Sequence, residues 1–289
     1  MRRACLLVAI CGLTSVWSAC GDDDGTPAKP FFQTLPTHTS IAHRGGAGLY
    51  PEATLYAFEH STADHQTDML EIDLHLSSDG YIVLSHDDDV ARTTDGSGLV
   101  NDLSLSELKA LDAAYWFDPD GDQTYPMRGQ GIQIATLEEV FQAFPDQHYL
   151  LEIKDTDNEY EQDLYDLIVL YGVQEQVVFG SFIDESTERM RAIAPDLALY
   201  YPTTAATCFV VAVGDGDDPM TECTKHYDAL SLPEGGISPE LVDIAHANGI
   251  AVWVWTIDDR SFMEQLFDMG VDGIISDRPD ILRQVIDAL

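Results

Sequence analysis

From residue 70 to residue 76 the chain alternates without a break. Leu70, Ile72, Leu74 and Leu76 fall on one side, and Glu71, Asp73 and His75 on the other. That period of two predicts a strand with two different faces. Asp79-Gly80 follows, a pair suited to a tight hairpin, with YIVLSHD as the return strand that brings His86 near Asp73. Upstream, SIAH is a short apolar run stopped by a Gly-rich turn, and Pro51 with Glu52 suits the first turn of a helix over TLYAFEHS. From residue 137 helical and strand-like stretches alternate regularly. Strands are expected near residues 41, 71, 151, 179, 199, 229, 253 and 275, with the hairpin return strand set aside. Eight strands with helices between them predict an α/β fold, a (β/α)8 TIM barrel. The alternative is an open doubly wound sheet, which favours a Gly-rich dinucleotide turn after the first strand. HRGGAG opens a loop and has no G-x-G-x-x-G pattern. Residues 90–136 break the rhythm, with a short helix capped by Ser104 or Ser106 and then the turn-rich FDPDGDQTYPMRGQG. Asp118 to Asp122 has the look of a calcium loop without the full ligand spacing, and reads as a solvated turn.

The first twenty residues follow another pattern: a basic start, an apolar run and small residues before Cys20. Residues 1–19 read as a secretory signal too short to span a membrane. Ser18-Ala19-Cys20 resembles a bacterial lipoprotein junction, which implies lipidation of Cys20, a tether over 20–37 and a domain over 38–289. The protein is then expected in the cell envelope, anchored to a membrane, with plain periplasmic or extracellular secretion as the alternative. Cys5 and Cys11 leave with the signal. Cys208 and Cys223, fifteen positions apart in an exported chain, are expected to form a disulfide across an acidic loop.

With 289 residues, 45% of them apolar, and no internal repeat, the chain suits one barrel-sized domain. Fourteen Lys and Arg against 51 Asp and Glu give a net charge of -37, which argues against nucleic acid and anionic lipid surfaces as partners. An anionic substrate would need that field reversed locally, and a divalent cation held by carboxylates does so most simply.

Active residues of such barrels sit at the carboxyl ends of the strands. His43, Arg44, Glu71, Asp73, Glu152, Lys154 and Trp255 all fall there. Glu71, Asp73 and Glu152 form a hard oxygen set suited to Ca²⁺ or Mg²⁺. Arg44 and Lys154 offer cations to phosphate oxygens, and Trp255 a substrate contact. His43 and His86 exchange protons near neutral pH, one toward the attacking oxygen and one toward the leaving alcohol. The ensemble is that of a phosphodiester cleavage site.

AHRGG, PEATLYAF, LEIDLHLSSDG and IVLSHD, followed by LEIK at 151–154, SF at 181–182, WTID at 255–258 and SDRP at 276–279, resemble the glycerophosphodiester phosphodiesterase family. The likeness covers residues 38–289 in family order. It departs at Ala53, where Asn is usual, at Gln66-Thr67, at Ser78 and at Asp258. The resemblance implies a lid formed by the 90–136 insertion over the barrel mouth. It also implies hydrolysis of small-molecule glycerophosphodiesters to glycerol 3-phosphate and an alcohol. Alternatives are a phospholipase D- or C-like activity on lysophospholipids or phospholipids, and a surface lipoprotein that binds phosphodiesters without turnover.

Overall fold

The structure, a computed structural model, describes residues 29–155, 158–224 and 227–289. The expected signal, Cys20 and the first part of the tether lie outside the described residues. Nine strands form one sheet: β1 (Thr39–Ala42), β2 (Met69–Leu76), β3 (Ile82–Leu84), β4 (His148–Ile153), β5 (Val177–Gly180), β6 (Ala198–Leu199), β7 (Ala229–Pro233), β8 (Ala251–Trp255) and β9 (Gly273–Ser276). The order is β6-β5-β4-β2-β1-β9-β8-β7, with β3 attached to β2 alone. Every pairing on that path is parallel, and β3 runs antiparallel to β2 as the hairpin. β6 and β7 meet through one bridge at Tyr200 and Ala229, so eight parallel strands make a nearly closed barrel.

The alternation along β2 sorts the core into two layers. Leu70, Ile72 and Leu74 point outward and pack with Leu151, Ile153 and Phe179 against helix residues such as Phe58 and Leu164. The inward row begins with Met69, which joins Ile41, Leu150, Val178, Trp253 and Ile275 to fill the lower barrel. The next residues of that row, Glu71 and Asp73, therefore lie one step nearer the mouth, above an apolar floor.

Two expectations need correction. Residues 29–37 are part of the fold and not tether: Pro30–Gln33 forms a helical turn, and Phe31 is only 1% exposed, seated in the same cluster as Met69 and Trp253. The Lys29 ammonium donates to the Leu197 carbonyl at 2.6 Å and to Asp228 at 3.0 Å, fixing the entry. Aromatic side chains gain by leaving water, and the open lower end of a barrel is the apolar surface they cover. Second, the helix after the HRGG turn runs Leu55–His65 with Thr54 as its cap, accepting from the Ala57 N–H at 3.1 Å. Pro51 and Glu52 belong to the loop before it.

The 90–136 insertion has a small core of its own, where Val90, Val100, Leu108 and Ile134 pack on Val83. Ser104 starts its helix Leu105–Leu108 with a reciprocal cap to Glu107. The insertion stands beside the loop that follows β1, along one side of the mouth. Cys208 and Cys223 are disulfide-bonded, tying the helix Thr203–Asp215 to the end of Pro219–Glu222. No helix among the described residues is long and apolar enough to cross a membrane.

Candidate active site

The parallel register of β2 with β4 sets Asp73 beside Glu152. One oxygen from each of Glu71, Asp73 and Glu152 lies within 4.8 Å of the others, and all three residues are buried. Burial, reinforced by the charge of Asp73, pushes the Glu71 carboxyl up to about 8. Glu152 is pushed up to about 7 by burial, against the pull of Lys154. The Lys154 ammonium donates to Glu152 at 2.6 Å and lies 3.3 Å from Asp73. Glu71 accepts the Arg44 backbone N–H at 2.8 Å. Asp73 Oδ2 is buried and has no hydrogen-bond partner, although Arg44 Nε lies 3.1 Å away. A bare carboxylate oxygen inside a set of three acids fits a hard divalent cation better than it fits a core of ion pairs.

His43 opens the 3₁₀ turn His43–Gly45 directly after β1. In that turn Arg44 has φ of 51°, a left-handed conformation held by its N–H on Glu71 and its guanidinium between Glu52, at 3.1 Å, and Asp73. Gly45 follows at φ +84°, where an added Cβ would come within 2.6 Å of the Phe58 ring, so both the turn and the helix packing require glycine. His43 Nδ1 is 2.7 Å from Asp277 Oδ1. A carboxylate only accepts, so Nδ1 carries the hydrogen and Nε2 is left for exchange. Burial disfavours the imidazolium, yet the Asp277 hydrogen bond and the charge of Glu71 outweigh it, and the His43 pKa is raised.

His86 follows β3, where the Ser85 N–H bonds the Asp73 carbonyl at 3.2 Å and extends the hairpin. Its Nδ1 is 2.8 Å from Asp87, the same arrangement as at His43. Arg92 donates through Nε to Asp87 at 2.5 Å and through both Nη atoms to Glu52 at 2.7 and 2.8 Å. Partial burial opposes the Asp87 charge, but Arg92 and His86 hold its carboxyl down at about 2. A chain of alternating charge thus runs Asp73, Arg44, Glu52, Arg92, Asp87, His86 and joins the β1 loop to the hairpin end.

All eight expected metal, acid-base and substrate-binding residues lie at the mouth end of the barrel or the hairpin, and the contacts above join seven of them. Trp255 stands apart: half-buried at the end of β8, its ring centroid is 5.6 Å from that of Phe182. The Lys154 ammonium lies 4.8 Å from the Phe182 ring centroid, so these aromatics form a wall across the mouth from the insertion. Sequence reasoning assigned no role to Asp277, Asp87, Glu52, Arg92 or Tyr200. The first three sit inside SDRP, HD and PEAT, and that membership was the available signal. Tyr200 is fully buried with its hydroxyl on Glu152. The departure at Asp258 is accommodated, since one carboxylate oxygen accepts from the Ser276 hydroxyl at 2.9 Å and the Asp277 N–H at 2.8 Å, as an amide oxygen would. Ala53 sits at φ of 57°, a conformation Asn adopts more readily.

The pattern of the glycerophosphoryl diester phosphodiesterase family matches residues 43–281. The glycerophosphodiester phosphodiesterase of Caldanaerobacter subterraneus subsp. tengcongensis is 34% identical over 255 residues, covering 85% of this chain and 96% of that protein. The Bacillus subtilis glycerophosphodiester phosphodiesterase is 29% identical over 260 residues, 85% of each chain. An Oleispira antarctica phosphodiesterase, solved in complex with the product sn-glycerol-3-phosphate, is similar in structure with a TM-score of 0.69 at 29% identity, over 89% of this chain and 99% of that one. By its ordered motifs, its barrel and the extent of these matches, the chain belongs to the glycerophosphoryl diester phosphodiesterase family.

Proposed function

We infer that the protein hydrolyses glycerophosphodiesters to glycerol 3-phosphate and an alcohol, with Glu71, Asp73 and Glu152 holding a divalent cation, Ca²⁺ or Mg²⁺. The observation that carries this reading is the close set of three buried carboxylates flanked by two histidines, each anchored through Nδ1 to its own carboxylate. The relative seen with sn-glycerol-3-phosphate supports the product. When bound, the cation would supply positive charge where the phosphate oxygens carry their negative charge. Arg44 and Lys154 bind those oxygens, which their pairing within the acid cluster positions them to do. One histidine takes the proton of the attacking oxygen through Nε2. The other gives a proton to the alkoxide leaving as the phosphorus–oxygen bond breaks. Asp277 and Asp87 hold the tautomers and steady the imidazolium that forms.

Turnover of glycerophosphocholine by cation-free protein, with and without added Ca²⁺ or Mg²⁺, tests the reading. Cation-dependent release of glycerol 3-phosphate is expected, and full activity after exhaustive chelation would refute the cation. Export with lipid attachment at Cys20 belongs to the same reading, supported by the Ser-Ala-Cys-Gly junction. Cys20→Ala should move the protein from the membrane to the soluble fraction, and a wild type already soluble after export sinks the anchor.

A further inference from the structure

Between the loop after β1 and the insertion lies a cleft of about 260 Å³. It adjoins a smaller cavity that reaches His86, the two sharing Glu52, Arg92, Thr93 and Ala113. On its inner side are Gly48, whose N–H bonds the Asp277 carbonyl at 3.1 Å, and Glu52, the partner of Arg44. The cleft therefore connects to Arg44 through Glu52, to His43 through Asp277 and to His86 through Arg92 and Asp87, while the Phe182–Trp255 wall stands on the other side of the acid cluster. A diester whose phosphate sits over the acids has one substituent to place on each side.

The outer part of the cleft is chemically distinctive. Trp116, 47% exposed, forms one wall with Phe117 and Pro119. It is braced by residues outside the cleft lining: its ring meets Tyr115 and Tyr125 edge-on, and the Arg128 guanidinium sits 3.9 and 4.0 Å from the centroids of those two tyrosines and 5.2 Å from that of Trp116, so an organic cation would have to take the part of the ring that Arg128 leaves open to the cleft. Asp118 lines the same wall. Its carboxylate accepts from the Asp122 and Gln123 N–H groups, and among the described residues no cation pairs with it. The one guanidinium lining the cleft, Arg92, already faces both Glu52 and Asp87. An aromatic face beside an unpaired carboxylate attracts an organic cation, and a cleft whose arginine is met by two acids offers an anion nothing.

We propose that this cleft is the subsite for the leaving alcohol and selects one that carries a quaternary or primary ammonium, with Trp116 and Asp118 as the discriminating residues. The proposal deepens the phosphodiesterase reading and rests on it. Its test compares kcat/KM for glycerophosphocholine and for glycerophosphoglycerol, which differ in the charge of the alcohol, and then for glycerophosphoethanolamine and glycerophosphoserine, which differ by one carboxylate. The wild type should favour the cationic member of each pair by about tenfold. Trp116→Ala and, separately, Asp118→Asn should reduce the choline-to-glycerol ratio to about two or less. A wild-type ratio near one, or a ratio that both variants leave intact, overturns the subsite while the phosphodiesterase reading stands. Absence of turnover on all four diesters overturns that reading and the subsite with it.

Discussion

Removing divalent cations should weaken the fold in a way that depends on pH, and the sign follows from the acid cluster. Glu71 and Glu152 have carboxyls raised to about 8 and about 7, above their ordinary 4.5. In cation-free protein the folded state therefore holds protons that the unfolded chain has already lost. The stabilisation from those protonated acids is fully present below about pH 4.5 and is lost as pH rises through 7 to 8. A cation that binds the ionised cluster displaces those protons, so its benefit should grow over the same interval. A ligand at one hundred times its dissociation constant adds about 2.7 kcal/mol. For a domain of this size that corresponds to a rise in Tm of roughly 5 to 10 °C. Thermal unfolding followed by circular dichroism, with chelator or with millimolar Ca²⁺ or Mg²⁺ at pH 5.5, 7 and 8, reads the effect directly. The gap should widen with pH and shrink in Glu71→Gln, which also flattens the decline of the cation-free protein. A gap of zero at pH 8 with both cations, or one that is the same at all three pH values, would refute the reasoning.

Asp277→Asn should lower kcat by roughly two to three orders of magnitude and, because the carboxylate raises the His43 pKa, move the limb of the pH–rate profile that it governs downward; an unmoved limb would remove Asp277 from the scheme. Gly180→Ala places a Cβ 2.4 Å from the Tyr200 ring and should cost about 1 to 3 kcal/mol in urea unfolding, with weaker cation binding through Glu152; full stability would show that the ring has room to shift. Ala53→Gly relieves a left-handed alanine at φ 57° and should raise stability by about 1 kcal/mol, an expectation ended by a lower urea midpoint. Reduction of Cys208–Cys223 should cost about 3 kcal/mol, and equal urea midpoints with and without reductant would show that the link contributes nothing.

The strands were legible because their signal is local. Each is a run of a few residues with its own period, and the eight expected centres fall in or next to the eight barrel strands. Helix starts were less so: Pro51 looked like a first turn, but Thr54 has the oxygen that caps the helix. Phe31 and Phe32 next to an acidic, Pro-containing stretch read as tether because two aromatics carry no period. What places them is the open lower end of a barrel assembled from residues as far along the chain as Trp253 and Ile275. The ion-pair chain was invisible for the same reason. Arg92 meets Glu52 across 40 residues of sequence, and His43 meets Asp277 across 234.

The acid cluster differs from those long-range pairs, because the alternation that reveals β2 also commits its carboxylates. A slip of one residue in the β2 register would turn Glu71 and Asp73 outward among Leu151, Ile153 and Phe58, and carry Ile72 into the mouth. Two carboxylates without partners in that layer cost several kcal/mol each, far more than one isoleucine gains anywhere. The observed register instead leaves them beside Lys154 and the Arg44 N–H, but still buried, and that burial, with the charge of Asp73 added, raises the carboxyls of Glu71 and of Glu152 on the neighbouring strand. The burial of charge is the local cost of placing acids on an inward row, and a cation held there as proposed would offset it. The two acids that fix the β2 register are thus also two of the three proposed to hold a cation, and Glu71→Gln should relieve the cation-free fold at alkaline pH while weakening the site.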